Sequence, residues 1–148
     1  VVCALGEDGL VRVLADASVE KPRPERWARA VAEAAQTWGA DRVVAEANQG
    51  GAMVESVLRA ADLSLPIRLV HASKGKIARA EPVAALYEAG RIRHTGVFPE
   101  LEDELCGLTV GGGYEGPGRS PDRADALVWA LTELMLRKTS RPRVWVGD

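Results

Sequence analysis

Two short apolar runs, separated by a helical pattern, constrain the fold of this chain most strongly. The first, "DRVVAEA" (residues 41–47), is rich in branched side chains and apolar on both faces, as is typical of an interior strand of a parallel sheet. The second, "PIRLVHAS" (residues 66–73), also has strand character, and "GGAMVESVLRAADL" between them has helical spacing. Because parallel strands need a crossover connection, this order predicts an α/β fold.

The flanking segments add a hairpin at the start and helices at the end. Within residues 1–17, strand-like segments lie on either side of the turn "GEDG", and this pattern predicts an antiparallel β-hairpin. "GRIRHTG" is predicted to be a short extended piece, and Pro82 is expected at a first turn or a kink. Ser120 and Pro121 are predicted as N-cap and first residue of the last long helix. Helices are predicted over residues 24–39, 76–90, 99–108 and 121–138, with one domain over residues 1–136 and an extension or linker over 137–148.

Composition limits the function classes. The 148 residues carry a formal net charge of −2, which argues against an indiscriminate nucleic-acid binder. No stretch approaches the roughly 20 apolar residues of a membrane span, and no basic-then-apolar leader opens the chain. Cys3 and Cys106 have no metal-ligand spacing and are predicted to be reduced core residues. We therefore expect a cytoplasmic protein without a membrane segment.

Positive charge is concentrated in the middle of the chain. Between Ile67 and His94, six basic residues stand against two acidic ones. This excess indicates either a solvated basic face or a surface that faces phosphates. The basic residues nearest the end of the second apolar strand are Lys74, Lys76 and Arg79.

A lone glutamate, Glu46, stands near the end of the first apolar run. Sites in open α/β sheets gather at the carboxyl ends of the strands, so its carboxylate is a candidate ligand. The alternative is a structural ion pair with Arg42 or Arg68. Asn48 and Gln49 follow at once, and they either hydrogen-bond a metal-bound water or cap the next helix.

Asp122 and Asp125 open the last long helix and, three residues apart, lie on one of its faces. Asp122 also suits the helix dipole, whereas Asp125 is flanked by residues built for burial. Acids from a strand end and a helix start can converge on Mg²⁺ or Mn²⁺, and two such ions can cleave a phosphodiester. Two ions need a third acid, for which Asp16 is a weak candidate.

Four segments, in this order and spacing, resemble the nuclease domain of the large terminase subunit. That subunit is the DNA-packaging protein of tailed phages and phage-like gene transfer agents. The segments are "VVAEANQGGAMVESVLR", "HASKGKIARAEPVAALYEAGRIRH", "FPELEDEL" and "SPDRADALVWALTELM".

The resemblance implies a ribonuclease H-like fold, with a mixed sheet, the antiparallel hairpin at its start and helices on both faces. It implies a two-metal endonuclease, using Mg²⁺ or Mn²⁺, that cuts concatemeric double-stranded DNA in the cytoplasm of a bacterial host. Carried over by position, Glu46, Asp122 and Asp125 match the catalytic acids and metal ligands. Lys74, Lys76 and Arg79 then become candidate DNA-binding residues, with Asn48 and Gln49 in support.

The family's first acid lies on a strand ahead of the hairpin, and that strand is absent from these residues. We therefore expect an aspartate within an apolar strand upstream of Val1. The residues also hold no GxxxxGK[ST] phosphate loop, so ATP hydrolysis is expected from an ATPase domain of the same polypeptide. Portal protein and small terminase subunit are the other implied partners. The alternatives are a resolvase-type nuclease and a non-catalytic docking module with the same fold.

Overall fold

The structure, a computed structural model, describes residues 1–20, 23–48, 50–109 and 113–137. Its elements alternate as the sequence predicts, and the extended piece "GRIRHTG" contains a short strand. In chain order they are β1 (Val2–Leu5), β2 (Val11–Ala15), α1 (Pro24–Trp38), β3 (Val43–Glu46), α2 (Gly51–Ala61), β4 (Ile67–Val70), α3 (Lys76–Glu88), β5 (Ile92–His94), α4 (Pro99–Cys106), α5 (Asp122–Leu131) and a π-helical turn (Thr132–Leu136). The predicted boundary at residue 137 is untested, and residues 138–148 lie outside the described ranges.

The strands form two small sheets rather than one. β1 pairs antiparallel with β2, which pairs parallel with β5, so the three-stranded sheet is mixed. β3 and β4 form a separate parallel pair in which Glu46 lies opposite Val70. The prediction that β3 is an interior strand is therefore wrong for the part of the chain described, where β1 and β3 each have one neighbour.

A cavity of about 510 Å³ separates these two edge strands. Residues of β1, β3, α1 and α5 line it, and most of its walls are apolar. We call it the inter-sheet cavity, and its lining includes Val2, Cys3, Val31, Val44, Ala126 and Trp129. Among the described residues no strand lies between these two edges, and the strands therefore form two sheets.

Side-chain alternation along β3 places helices on both of its faces. Val43 and Ala45 pack into a core with α1 and α2 around the buried Ala28 and Leu58. The alternate residues, Val44 and Glu46, line the inter-sheet cavity beside α5. A second core joins β2 and β5 to α3, α4 and α5 through Val11, Val13, Val83, Ile92, Leu101, Leu127 and Leu131.

Pro82 lies inside α3, beyond its first turn, so the first-turn alternative is wrong and the predicted kink is untested. The helix continues past it to Glu88, and Ala80 and Val83 on either side of it are buried. Ser120 is not the N-cap of the last helix, which begins at Asp122 with Pro121 at the cap.

The two cysteines differ in environment. Cys3 packs against the second core, where burial raises its thiol pKa to about 12. Cys106 is exposed, so its predicted core position is wrong, and both thiols are free. None of the helices in the described ranges combines the length and apolar character needed to cross a bilayer.

Glu133, in the π-helical turn, ties the end of the last helix to the β3–β4 sheet. Its side chain is 12 % exposed and forms ion pairs with Arg42, Arg68 (3.2 Å) and Arg137 (2.9 Å). Burial alone would raise its carboxyl pKa, but the hydrogen bonds and charges of these arginines lower it below its usual value. The alternative prediction, an ion pair of Glu46 with Arg42 or Arg68, is therefore wrong, because both arginines pair with Glu133.

We expect Glu133→Gln to lower the free energy of unfolding at pH 7 by about 1–3 kcal/mol, because three arginines lose a shared partner. A carboxyl whose pKa is lowered on folding stabilises above its unfolded pKa and loses that contribution as the pH falls through the folded value. The deficit, measured by urea unfolding, should therefore shrink towards pH 3. Glu55→Gln, which breaks an exposed pair with Arg59, is the control and should cost under about 1 kcal/mol. An equal deficit at both pH values would contradict this account of Glu133.

Candidate functional site

Glu46, the last residue of β3, accepts its two shortest hydrogen bonds from Asn48 and Trp129. Asn48 Nδ2 donates to its Oε1 at 2.7 Å, and Trp129 Nε1 donates to its Oε2 at 2.8 Å. Asn48 is fixed in turn, because its Oδ1 accepts a hydrogen bond from the Ala72 N–H at 2.6 Å, just after β4. The carboxylate is thus oriented before any ligand binds.

The turn after β3 depends on its two glycines. Gly50 has a φ of +82°, a left-handed conformation that favours glycine. A side chain at Gly51 would meet Ala47 Cβ at 2.8 Å, so α2 can start close to the strand only with glycine there. Gln49, predicted to support the site, lies outside the described residues.

Asp125, on α5, faces Glu46 across a single arginine. Its side chain is 9 % exposed, and both of its oxygens accept hydrogen bonds from Arg79 Nη2, at 2.7 and 2.8 Å. The same nitrogen lies 3.3 Å from Glu46 Oε2. One cationic group therefore joins the strand acid to the helix acid.

The Arg79 side chain is itself fixed in place. Only 11 % of it is exposed, Nη1 donates to the Lys74 carbonyl at 2.6 Å, and the guanidinium lies 5.0 Å from the centre of the Trp129 ring. Its Nε is buried and has no hydrogen-bond partner among the described residues.

Asp122 lies at the more open side of the same site. Its side chain is 76 % exposed and pairs with Lys76, while Ser120 Oγ donates to it at 2.8 Å. Partial burial would raise its carboxyl pKa, but the hydrogen bonds from Lys76 and Ser120 and the lysine charge lower it. Lys76 Nζ also donates to Ser120 Oγ at 2.8 Å and lies 3.9 Å from Asp125, so it bridges the two acids of α5.

The site therefore brings together most of the residues that the sequence singles out. The acids Glu46, Asp122 and Asp125 meet Lys76 and Arg79 at the carboxyl end of β3. Lys74 contributes its backbone carbonyl, and its side chain is exposed. The weak candidate for a third ligand, Asp16, is held instead by Arg123, 3.1 Å away.

Comparison with protein families decides the assignment. The model of a family described as "Terminase RNaseH-like domain" matches residues 1–134. The chain belongs to this family. The comparisons with curated proteins and with solved structures gave no match.

A ribonuclease H-like nuclease site implies bound divalent cations. The carboxylate donors of the terminase domain are of the type that a hard cation prefers. The oxygens of Glu46 and Asp125 already converge on one positively charged nitrogen, and carboxylate oxygen is what Mg²⁺ and Mn²⁺ prefer. Within the described ranges, however, no group of three or more His, Cys, Asp and Glu is arranged to hold a metal. Glu46 and Asp125 therefore form a partial donor set, of the kind that Mg²⁺ completes with waters and substrate phosphates.

Two residues that contribute to the site, Trp129 and Glu104, were not predicted from the sequence. Trp129 lies four residues after Asp125, so helical spacing alone could have placed it on the same face. Glu104 belongs to the acidic run "PELEDEL", but it lies between Leu101 and Leu105 on the apolar face of α4. It is 6 % exposed, and its Oε2 accepts a hydrogen bond from the Ala124 N–H at 3.0 Å.

Glu104 supplies the cap that α5 does not provide for itself. The N-cap residue Pro121 makes no side-chain capping bond, so a buried carboxylate from α4 satisfies a first-turn amide next to Asp122 and Asp125. The position of the acids on α5 therefore depends on α4.

We expect Glu104→Ala to lower the free energy of unfolding by about 1–3 kcal/mol, because the Ala124 amide is left buried without a partner. Glu104→Gln keeps an acceptor and should cost less. Urea unfolding of the two variants checks this, and equal losses would show that the charge, and not the hydrogen bond, matters.

Proposed function

We propose that the terminase domain is a Mg²⁺- or Mn²⁺-dependent endonuclease that cuts concatemeric double-stranded DNA during packaging into phage-like capsids. The observation that carries the proposal is the convergence of Glu46 and Asp125 on one cationic nitrogen, with Asp122 beside them. In a family of ribonuclease H-like domains, acids gathered at a strand end are the expected ligands of the catalytic ions.

When bound, the divalent ions would activate a water and stabilise the charge that develops on the phosphate. This chain contributes the carboxylates of Glu46, Asp122 and Asp125, and Asn48 and Trp129 already orient that of Glu46. Lys74, Lys76 and Arg79 supply positive charge at the same edge for DNA phosphates. Phosphate contacts carry no sequence information, so we expect little sequence preference.

A third acid is proposed to enter on a strand that fills the inter-sheet cavity. β1 and β3 both turn an edge towards this cavity, and in the described part of the chain neither edge has a second partner. On β3 the amides of Val43 and Ala47 donate towards the β4 side, so those of Val44 and Glu46 point to the open edge. An upstream strand placed there would join the two sheets and end beside Glu46.

The implied partners follow from the same proposal. Double-stranded DNA is the substrate, an ATPase domain of the full-length polypeptide drives packaging, and the portal protein and small terminase subunit direct it. The match to a terminase family favours this assignment over a resolvase.

One observation favours the second candidate, a non-catalytic docking module. All three acids are neutralised by cations of the same chain, Asp122 by Lys76 and the other two by Arg79. Permanent ion pairs of this kind would hold the fold together and would leave no ligand for a metal.

Plasmid cleavage by the full-length polypeptide separates the two candidates. With Mn²⁺ or Mg²⁺ we expect nicking that chelator abolishes and that Glu46→Gln or Asp125→Asn reduces more than about 100-fold, since even groups that only orient ligands are worth 10–100-fold. Asp8→Asn, which changes an exposed acid paired with Arg12, is the control and should leave cleavage unchanged. No cleavage in either metal by a folded protein would favour the docking module.

Hydrogen exchange tests the proposed strand. In a polypeptide that carries the proposed strand, we expect the amides of Val44 and Glu46 to exchange at least about tenfold more slowly, because they gain partners and lose contact with water. A scrambled upstream sequence of the same composition is the control. Unchanged exchange at both amides would show that the cavity takes no strand.

A further inference from the structure

Arg79 stands where the proposed function requires a metal ion. Its Nη2 contacts three carboxylate oxygens, two of Asp125 at 2.7 and 2.8 Å and one of Glu46 at 3.3 Å. Mg²⁺ binds such oxygens at about 2.0–2.1 Å, and like charges at this spacing repel strongly. The guanidinium, hydrogen-bonded to three of these oxygens, therefore competes with a divalent cation for the space between the two carboxylates.

The arginine also has an unused binding capacity. Its Nε–H is buried without a hydrogen-bond partner among the described residues, although Nη1 and Nη2 are both engaged. A guanidinium offers two parallel N–H groups to a phosphate, in a geometry that matches it. A DNA phosphate at this site would give Nε–H an acceptor that the protein does not supply.

The residues around Arg79 would stabilise the site if the guanidinium left its ion pair. Lys74 lies on the turn that leads into α3, and Lys76 is the first residue of that helix. They come five and three residues before Arg79, so positive charge is already present where the DNA backbone would approach. Lys76 remains 3.9 Å from Asp125 and partly balances its charge when the arginine leaves. Trp129 Nε1 and Asn48 Nδ2 continue to hold Glu46 in place.

We propose that Arg79 is a gate between the resting and the metal-loaded state of this site. In the absence of DNA it occupies the carboxylates of Glu46 and Asp125 and keeps divalent cations out. A backbone phosphate draws the guanidinium away, and the freed carboxylates then take up the metal. The inference rests on the proposed nuclease function and adds to it that DNA controls metal loading, which would limit the cleavage chemistry to DNA-bound protein.

Two consequences follow from competition between Arg79 and the metal. Removing the arginine should strengthen metal binding without DNA, whereas removing a supporting residue would weaken it. Because coupling between two ligands is reciprocal, DNA should raise metal affinity in the native protein by a factor in the usual range of about 5–150. That enhancement should fall when Arg79 is absent.

Mn²⁺ binding to the full-length polypeptide tests both consequences. Free Mn²⁺ is followed by electron paramagnetic resonance with and without a short DNA duplex, and the site is defined as the binding lost in Glu46→Gln. We expect Arg79→Gln to bind Mn²⁺ at least about fivefold more tightly without DNA and to show less enhancement by DNA. Arg12→Gln, which changes an exposed ion-paired arginine, is the matched control and should behave as the native protein.

Arg79→Gln leaves two acids without their partner and for that reason could fail to fold. A second measurement, which does not need this variant, covers that case. The fluorescence of Trp129, taken as the difference between the native protein and Trp129→Phe, reports the guanidinium that faces its ring. With chelator present, we expect DNA to change this component, because Arg79 leaves the ring face without any metal. DNA binding that leaves it unchanged would overturn the gate.

The two proposals fail in different ways. If no Mn²⁺ binding depends on Glu46 even with DNA present, both the nuclease function and the gate are wrong. If Glu46-dependent binding occurs and Arg79→Gln binds Mn²⁺ equally or more weakly, the gate alone is wrong. Arg79 is then a structural residue of a working site.

Discussion

The ion pair of Arg79 with Glu46 and Asp125 joins three elements that are far apart in the chain, namely α3, β3 and α5. The arginine and the aspartate are almost entirely buried, so removing one partner would leave an uncompensated charge, which typically costs about 3–5 kcal/mol. The arrangement of the site and the stability of the domain thus depend on the same interaction. Any ligand that displaces Arg79 must compensate for that loss with contacts of its own.

One face of the last helix supplies most of what surrounds this ion pair. Asp122, Asp125, Trp129 and Glu133 recur at three- and four-residue intervals and all line the inter-sheet cavity. The first two are acids of the site, the third orients Glu46, and the fourth pairs with arginines beside β3 and β4. Because Glu104 of α4 caps this helix, the site is connected to the second core as well as to the sheet edge.

The sequence indicates which acids the fold brings together better than it indicates their partners. Glu46 is recognisable because a carboxylate ends an apolar strand, and Asp125 because its neighbours are built for burial. The DNA-binding role of Lys76 and Arg79 stays a prediction, but their pairing with acids 46 residues away in the chain is something that periodicity cannot reveal. For the same reason the capping role of Glu104 and the split between the two sheets needed tertiary structure, and three-residue β5 was too short to distinguish from an extended loop.

Anomalous diffraction from crystals of the full-length polypeptide with Mn²⁺ and a DNA duplex would show whether manganese replaces Arg79 at these acids. We expect a manganese peak between the carboxylates of Glu46 and Asp125, with the Arg79 guanidinium moved from them to a DNA phosphate. An intact Arg79 ion pair with DNA bound, and no manganese at these acids, would contradict this expectation.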